Sequence, residues 1–168
     1  YGAKGFYQGP VAEALVKRVR EAGGIISHED LIKYKPVWRE PLNFRYKNLN
    51  IYSMGPPSSG GICLGQILKM IEPYNINQYD HNSEKAIQLI VEAERRSYSD
   101  RSKYLGDPDF NEIPYNQLIS DDYLKYRMKS FTFDLASESK DIQAGKIVSK
   151  ESEETTHYSI LDKEGNAV

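Results

Sequence analysis

The spacing of apolar residues along the chain predicts three main helices. An apolar stripe within residues 9–22 indicates the first, because Pro10 is tolerated in a first turn and Gly23-Gly24 ends the pattern. The second is expected at residues 59–71, behind a Pro-Pro-Ser-Ser-Gly-Gly turn that delivers a serine cap. The third and longest is expected at residues 83–104. Its buried face is predicted to carry Ala86, Ile87, Ile90, Val91 and Ala93, and its charged face Glu92, Glu94, Arg95 and Arg96.

Shorter elements are predicted between the first two helices. Ser27 and Asp30 have the spacing of a capping box, which indicates a short helix through Tyr34. Alternating β-favouring residues at 38–54 indicate a hairpin with its turn at residues 47–50. The chain is therefore expected to mix helices with at least one antiparallel strand pair.

The second half of the chain is less regular. Asp107-Pro108-Asp109 predicts a turn, and Ser120-Asp121-Asp122 can cap a last helix that runs to about Lys129. Residues 137–155 are rich in Ser, Glu, Lys and Asp, so we expect a mobile loop with little to bury. Residues 155–168 read as a strand. The fold class is thus α+β, mainly helical with a short hairpin and a C-terminal strand.

Composition excludes several classes of function. The chain of 168 residues has 22 basic and 24 acidic side chains, and no basic run follows a phosphate backbone, so nucleic acid is not expected as a partner. No apolar run approaches the ~18 residues of a membrane span. Cys63 is the one cysteine, which excludes an internal disulfide, and the three histidines lack zinc-site spacing.

The candidate chemistry lies in the last fourteen residues of the chain. Thr155-Thr156-His157 opens the strand-like run directly after the acidic Ser152-Glu153-Glu154. A threonine can be a nucleophile where a base is near, but β-branched residues also favour strands for structural reasons alone. Strand alternation places His157 on the face of Thr155, where it could be a base, although a strand histidine is more often packed and hydrogen-bonded.

Three blocks together resemble the γ-glutamyltranspeptidase family. They are the run Thr155-Thr156-His157-Tyr158-Ser159 with Gly165-Asn166-Ala167-Val168, the Pro-Ser-Gly turn at 54–62, and the helix and Gly-Asp-Pro-Asp-Phe ending at 92–110. Their order and spacing also fit the family. The resemblance covers the chain from about Gly5 to Val168.

The resemblance implies a function and a site. The precursor would cut itself between Glu154 and Thr155, and the freed Thr155 would be the catalytic nucleophile, with its own α-amino group as the base. It would take the γ-glutamyl group from glutathione or a related amide and pass it to water, an amino acid or a peptide. No metal or organic cofactor is implied. The family's location implies a periplasmic or extracellular protein.

The resemblance also implies how the chain is organised. Residues 1–154 would be the C-terminal part of the large-subunit region, and 155–168 the first strand of the small-subunit region. Both would belong to a four-layer αββα sandwich of the N-terminal-nucleophile hydrolases. The substrate-binding residues, and the remainder of both subunits as partners, are expected outside this chain, so this chain alone is expected to be inactive.

Other assignments of these residues fit their sequence patterns less well. Ser58 and Ser59 lack the Gly-x-Ser-x-Gly pattern of a serine nucleophile, so helix capping is favoured. Asp107 and Asp109 lack the twelve-residue pattern of a calcium loop. Asp100-Arg101 is expected to form an ion pair. The rival function is a non-catalytic structural or peptide-binding module in which Thr155 is only a strand residue.

Overall fold

The computed structural model describes residues 1–147, and they fall into two compact units that divide between Arg39 and Glu40. The predicted residues Glu154, Thr155 and His157, and the predicted strand at 155–168, lie outside the described residues.

The first unit contains three helices, which are α1 (Gly2–Tyr7), α2 (Gly9–Glu21) and α3 (His28–Lys33). Helix α1 was not predicted. Helix α2 confirms the predicted apolar stripe in part, because Ala12 and Val16 are buried whereas Val11 is half exposed. The helix ends ahead of Gly23, whose φ of +82° is in the left-handed region that glycine adopts without strain.

The capping box of α3 is confirmed. The Ser27 hydroxyl oxygen accepts a hydrogen bond from the Asp30 N–H at 3.2 Å, and the Asp30 carboxylate accepts one from the Ser27 N–H at 2.8 Å. Each side chain thus satisfies a backbone donor that the first turn leaves unpaired.

The second unit begins with the predicted hairpin, formed by β1 (Leu42–Tyr46) and β2 (Leu49–Ser53). The strands are antiparallel, with Phe44 opposite Ile51. The turn is shorter than predicted, because β2 begins at Leu49 and leaves only Lys47 and Asn48 between the strands. Lys47 has a φ of +51°, as a tight two-residue connection requires.

Four helices build the rest of this unit, which are α4 (Gly60–Ile71), α5 (Glu84–Tyr104), α6 (Tyr115–Leu118) and α7 (Asp121–Arg127). Short 3-10 turns lie at Glu72–Tyr74, Ile76–Gln78 and Ser139–Asp141. Helices α4, α5 and α7 pack around one apolar core. The core consists of Ile62, Met70, Ile71, Leu89, Ala93, Leu118, Tyr123, Leu124 and Met128.

The bounds of α4 and α5 confirm the two predicted helices, and Ser83 caps α5 by accepting a hydrogen bond from the Ala86 N–H. The turn at Asp107 is also confirmed, since the Phe110 N–H donates to its carbonyl at 3.1 Å. The last helix ends at Arg127, two residues early, and the Ser120 hydroxyl donates to the Gln117 carbonyl at 2.9 Å instead of capping it. Helix α6 was not predicted.

The predicted faces of α5 are wrong at four positions. Ile87 and Val91 are 49% and 42% exposed, whereas Glu92 and Arg96 are each only 2% exposed. The core side of the helix carries Ala86, Leu89, Glu92, Ala93, Arg96, Ser97 and Asp100. Periodicity misassigned the charged pair because charged side chains are buried only when they have partners, and a sequence pattern does not show those partners.

The described residues therefore form a mainly helical α+β arrangement with one two-stranded antiparallel sheet. No helix among residues 1–147 is both long enough and apolar enough to cross a membrane.

Candidate functional site

The described residues contain a buried network of charged and polar side chains on the core side of α5. Glu92, Arg96 and Asp100 follow one another at intervals of four residues and share one helix face. The Glu92 carboxylate pairs with the Arg96 guanidinium through a short contact, and its other oxygen pairs with Arg95 Nη1 at 2.8 Å. Asp100 pairs with Arg127 Nη2 of α7 at 3.1 Å.

The charge on Glu92 is stabilised within this network. Burial by itself would raise the pKa of the Glu92 carboxyl, but hydrogen bonds from Arg96 and from Ser137 oppose it, and the net pKa lies below the ordinary value. The carboxylate is therefore ionised at neutral pH, and the buried charges of Glu92 and Arg96 neutralise each other.

Asp100 is fully buried and its two oxygens accept several hydrogen bonds. Gln66 Nε2 of α4 donates to it at 3.2 Å, and Arg127 Nε donates at 3.2 Å. Gln66 in turn accepts a hydrogen bond from the Ser97 hydroxyl at 2.9 Å. The network thus connects α4, α5 and α7 through polar contacts inside an otherwise apolar core.

The same helix face holds the chain segment at residues 137–147. The Ser137 N–H donates to Glu92 Oε1 at 3.0 Å, and Arg95 Nη1 donates to the Ser137 carbonyl at 2.7 Å. Further along, the Ser99 hydroxyl donates to the Ile142 carbonyl at 3.2 Å. The segment is irregular, as predicted, and Gly145 is its one buried residue within 137–147. Sequence reasoning did not anticipate that side chains of α5 would pair with its backbone groups.

Gly145 is the most closely held residue of this segment. Its N–H donates to Asp100 Oδ1 at 2.8 Å, and its carbonyl accepts a short hydrogen bond from the Tyr104 hydroxyl. A Cβ at this position would collide with the Tyr123 hydroxyl and lie 2.6 Å from Arg127 Cδ. Only glycine therefore fits between these side chains.

Tyr123 forms the wall behind Gly145. Its hydroxyl is buried beside Asp100 without the geometry of a hydrogen bond to any described residue. Burial, together with the neighbouring Asp100 carboxylate, raises the pKa of Tyr123 far above its ordinary value. The phenol is therefore neutral throughout the physiological pH range.

In the serine-glycine turn before α4, the hydroxyls of both serines make hydrogen bonds that have a structural role. The Ser59 hydroxyl accepts a hydrogen bond from Arg101 Nε at 2.8 Å and does not cap α4, so the predicted Ser59 cap is wrong. The Ser58 hydroxyl accepts from the Gly60 N–H at 3.3 Å. Gly61 lies against the hairpin, where a Cβ would collide with the Met54 carbonyl oxygen.

The predicted ion pair of Asp100 with Arg101 is wrong. Asp100 points into the core toward Arg127, whereas Arg101 is exposed and contacts Ser59. Neighbours in sequence face about 100° apart on a helix, so adjacent charges cannot meet as residues four apart do. Within residues 1–147, no group of three or more His, Cys, Asp or Glu side chains is arranged to hold a metal ion.

The sequence contains a signal for this network that the predicted faces of α5 did not use. Leu89, Ala93, Arg96 and Asp100 recur at intervals of three and four, which places the two charged residues on the apolar stripe. Charged residues on such a stripe indicate either a broken helix face or a paired buried network. Arg127, thirty-one residues away from Arg96, could not be assigned as a partner without the tertiary structure.

Comparison with known proteins identifies the group to which the chain is similar. The family model for gamma-glutamyltranspeptidase matches residues 1–168. The "Glutathione hydrolase proenzyme" of Escherichia coli (strain K12) is 43% identical over 167 residues, which are 99% of this chain and 29% of that protein. The "Acylase ACY 1 proenzyme" of Pseudomonas sp. (strain V22) is 32% identical over 167 residues, again 99% of this chain and 29% of that protein.

A solved structure agrees with these matches. The crystal structure of Helicobacter pylori gamma-glutamyltranspeptidase superposes with a TM-score of 0.77 and 41% identity, covering 90% of this chain and 44% of that chain. The chain spans about 29% of the length of these curated relatives. The fold is accordingly part of the N-terminal-nucleophile hydrolase sandwich, and the chain belongs to the γ-glutamyltranspeptidase family.

Proposed function

We propose that the chain is part of a γ-glutamyltranspeptidase precursor that moves the γ-glutamyl group of glutathione and related amides to water, amino acids or peptides. The observation that carries the proposal is the family match across all 168 residues, which includes the Thr155-Thr156-His157 run. Identity is higher to the glutathione hydrolase than to the acylase, and this difference supports a γ-glutamyl donor.

The first step of the proposal is self-cleavage. Thr155 Oγ attacks the carbonyl carbon of Glu154, the peptide C–N bond breaks, and the hydroxyl proton passes to the leaving nitrogen, which becomes the α-amino group of Thr155. Water then hydrolyses the resulting ester and returns the hydroxyl to Thr155. An oriented intramolecular attack of this kind can gain about 7 kcal/mol or more from positioning.

The second step is turnover by the freed threonine. Its α-amino group, with an unperturbed pKa of roughly 8, takes the proton from Oγ as Oγ attacks the γ-carbonyl of the donor. That proton passes to the departing amine, and a γ-glutamyl ester remains on Thr155. Attack by water or by an acceptor amine on this ester releases the product and restores the hydroxyl.

The precursor is proposed to have two regions that meet within this chain. Residues 1–154 would end the large-subunit region and residues 155–168 begin the small-subunit region, with the remainder of both subunits as the structural partners. No cofactor takes part in either step. A periplasmic or extracellular location is proposed from the family resemblance.

The test uses the full-length precursor that contains this chain, in this chain's numbering. We expect Thr155→Ala to leave one uncut polypeptide without turnover of a chromogenic γ-glutamyl anilide, because neither the hydroxyl nor the free amine forms. Thr155→Ser is expected to process slowly and keep some activity. Denaturing gel electrophoresis and the anilide assay measure the two effects.

Thr156→Ser is the matched control, since it changes the neighbouring threonine in the same way and should process at the normal rate. Normal cleavage in Thr155→Ala would show that another residue or a protease makes the cut. The rival, a non-catalytic structural or peptide-binding module, would be supported by an unmodified precursor that never cuts itself and never turns over the anilide.

A further inference from the structure

We propose that Tyr104 and Asp100 are positioning residues for self-cleavage, because they fix the backbone of Gly145 ten residues before Thr155. The inference rests on the proposed function. The site consists of described residues only, namely the last turn of α5, Gly145 and Ile147. We refer to it as the Gly145 clamp.

Both backbone polar groups of Gly145 are held from one helix. Asp100 Oδ1 accepts from its N–H at 2.8 Å, and the Tyr104 hydroxyl, one turn further along α5, donates to its carbonyl. The same Tyr104 hydroxyl accepts from the Ile147 N–H at 3.4 Å. Three polar contacts, two to Gly145 and one to Ile147, therefore fix both the position and the direction of the chain at residues 145–147.

The walls of the clamp are rigid. Asp100 is fully buried and is itself held by Gln66 and Arg127. The lack of a side chain at Gly145 lets the backbone lie directly against Tyr123 and Arg127. A buried, fully partnered carboxylate has little freedom to move, so the clamp can transmit a defined position to the chain that leaves it.

The distance along the chain makes this position relevant to Thr155. Ile147 lies eight residues before Thr155, and eight residues span at most about 28 Å when extended. The position at which the chain leaves the clamp therefore limits the positions that the Glu154 carbonyl and Thr155 Oγ can reach. Orientation matters strongly, since a misplacement of about 1 Å can cost about 100-fold in rate.

Chain length alone gives a much smaller effect. If the clamp opens, the nearest remaining contact of the segment with α5 is that of Ser99 with Ile142. The free segment before Thr155 then grows from eight to thirteen residues, which changes the probability of closure about twofold. A slowdown well above twofold therefore reports lost positioning and not mere slack.

The experiment compares the cutting rates of full-length precursors made by cell-free translation. We expect Tyr104→Phe, which removes two of the three contacts and keeps the ring, to slow conversion to two subunits by about 10-fold or more. Gly145→Ala should slow it similarly, because its Cβ expels the segment from the clamp. Tyr98→Phe is the matched control on α5, where the 57% exposed ring should tolerate loss of its hydroxyl.

Two further readouts separate positioning from stability. In the Thr155→Ala background, Tyr104→Phe should lower Tm only slightly more than the Tyr98→Phe control does, because it removes two part-buried hydrogen bonds and leaves the ring in place. The matured fraction of Tyr104→Phe should have the kcat and KM of the unmodified enzyme, since the clamp acts before the cut.

A Tyr104→Phe rate within twofold of the unmodified precursor would overturn the inference. So would slowing that comes with a large loss of Tm, because it would assign Tyr104 a structural role. The proposed function fails separately, through cleavage in Thr155→Ala. If Thr155→Ala blocks cutting while Tyr104→Phe cuts normally, only the Gly145 clamp is refuted.

Discussion

At the scale of single residues, the buried pair of Glu92 and Arg96 affects the free energy of unfolding differently from the surface pairs. Each of its members is 2% exposed, whereas Lys33 and Glu29 pair at an exposed i, i+4 position on α3. Surface pairs contribute about 0.3–0.5 kcal/mol. Removal of one partner from a buried pair leaves the other charge poorly compensated, and this costs up to about 3–5 kcal/mol.

We therefore expect Arg96→Ala to lower the free energy of unfolding by up to about 3–5 kcal/mol, which is an upper bound because Glu92 keeps its pair with Arg95. The loss includes the hydrogen bonds from Arg96 to the Arg127 carbonyl and the Ser130 hydroxyl. Lys33→Ala is the control and should cost at most about 0.5 kcal/mol. Urea unfolding of the Thr155→Ala precursor measures both, and a similar small cost for the two variants would show that the buried pair is not the stabilising one.

The lowered pKa of Glu92 gives a pH dependence with a definite sign. The folded carboxyl titrates below its ordinary value of 4.5, so the unfolded chain binds the proton more readily than the folded one. The resulting stability is complete above the ordinary value and is lost as pH falls through it toward the lowered folded pKa.

We expect the unmodified protein to lose more unfolding free energy between pH 7 and pH 3 than Glu92→Gln does. Unfolding in urea at a series of pH values measures the difference between the two slopes. Glu94→Gln, a change on the exposed side of the same helix, should leave the slope of the unmodified protein in place. Parallel slopes for Glu92→Gln and the unmodified protein would contradict the assigned hydrogen bonds.

At the scale of elements, the junction between the hairpin and α4 depends on one glycine. A Cβ on Gly61 would collide with the Met54 carbonyl oxygen and lie 3.1 Å from Leu42 Cδ1. The next glycine in sequence, Gly60, has only the Ser58 hydroxyl oxygen nearby, at 3.5 Å from such a Cβ. The two positions therefore differ in the space available for a Cβ atom and not in helix propensity.

This difference predicts opposite outcomes for the same substitution. Gly61→Ala should cost about 1–3 kcal/mol through overpacking, because the backbone of residue 54 must shift. Gly60→Ala should be neutral or stabilise by up to about 1 kcal/mol. Thermal unfolding of the two variants measures the contrast, and equal Tm values would mean that the hairpin does not pack against α4.

The elements also show how far sequence reasoning reaches. The starts and ends of α2, α4 and α5 lie within one residue of those predicted from apolar periodicity and, for α2, a glycine stop, although the serine cap predicted for α4 does not form. The faces of α5 were not predicted from local signals, because the burial of Glu92 depends on its pairing with Arg96 of the same helix and with Ser137 of a distant segment. Helices α1 and α6 have six and four residues, too few for a periodic pattern to stand out.

The candidate site divides in the same way. Thr155 and Glu154 were identified from a motif and stay predictions, since they lie outside the described residues. The Gly145 clamp was not predicted, because Gly145 reads as one more small residue in a polar stretch. Its contacts join residues more than forty positions apart, and such pairings become visible only in the folded chain.

At the scale of the whole molecule, the described residues form a scaffold without a reaction centre of their own. The hydroxyls of Ser58 and Ser59 contact a backbone N–H and a guanidinium, neither of which can act as a base. Cys63 is buried in α4. Among residues 1–147, the polar network stabilises the core and holds the segment at 137–147, and neither role provides a nucleophile for acyl transfer.

We therefore expect the isolated 168-residue chain to show no γ-glutamyl transfer, because it spans only about 29% of the length of its relatives and the expected substrate-binding residues lie elsewhere. The loss of an oxyanion-binding donor alone lowers an acyl-transfer rate by about 10²–10³. For the same reason the Glu154–Thr155 bond should stay intact during long incubation. The chromogenic anilide assay and intact-mass measurement test the two expectations, with the Thr155→Ala chain as the control. Turnover by the unmodified chain that the alanine chain lacks, or release of a peptide that begins at Thr155, would show that this piece of the protein is sufficient for the chemistry.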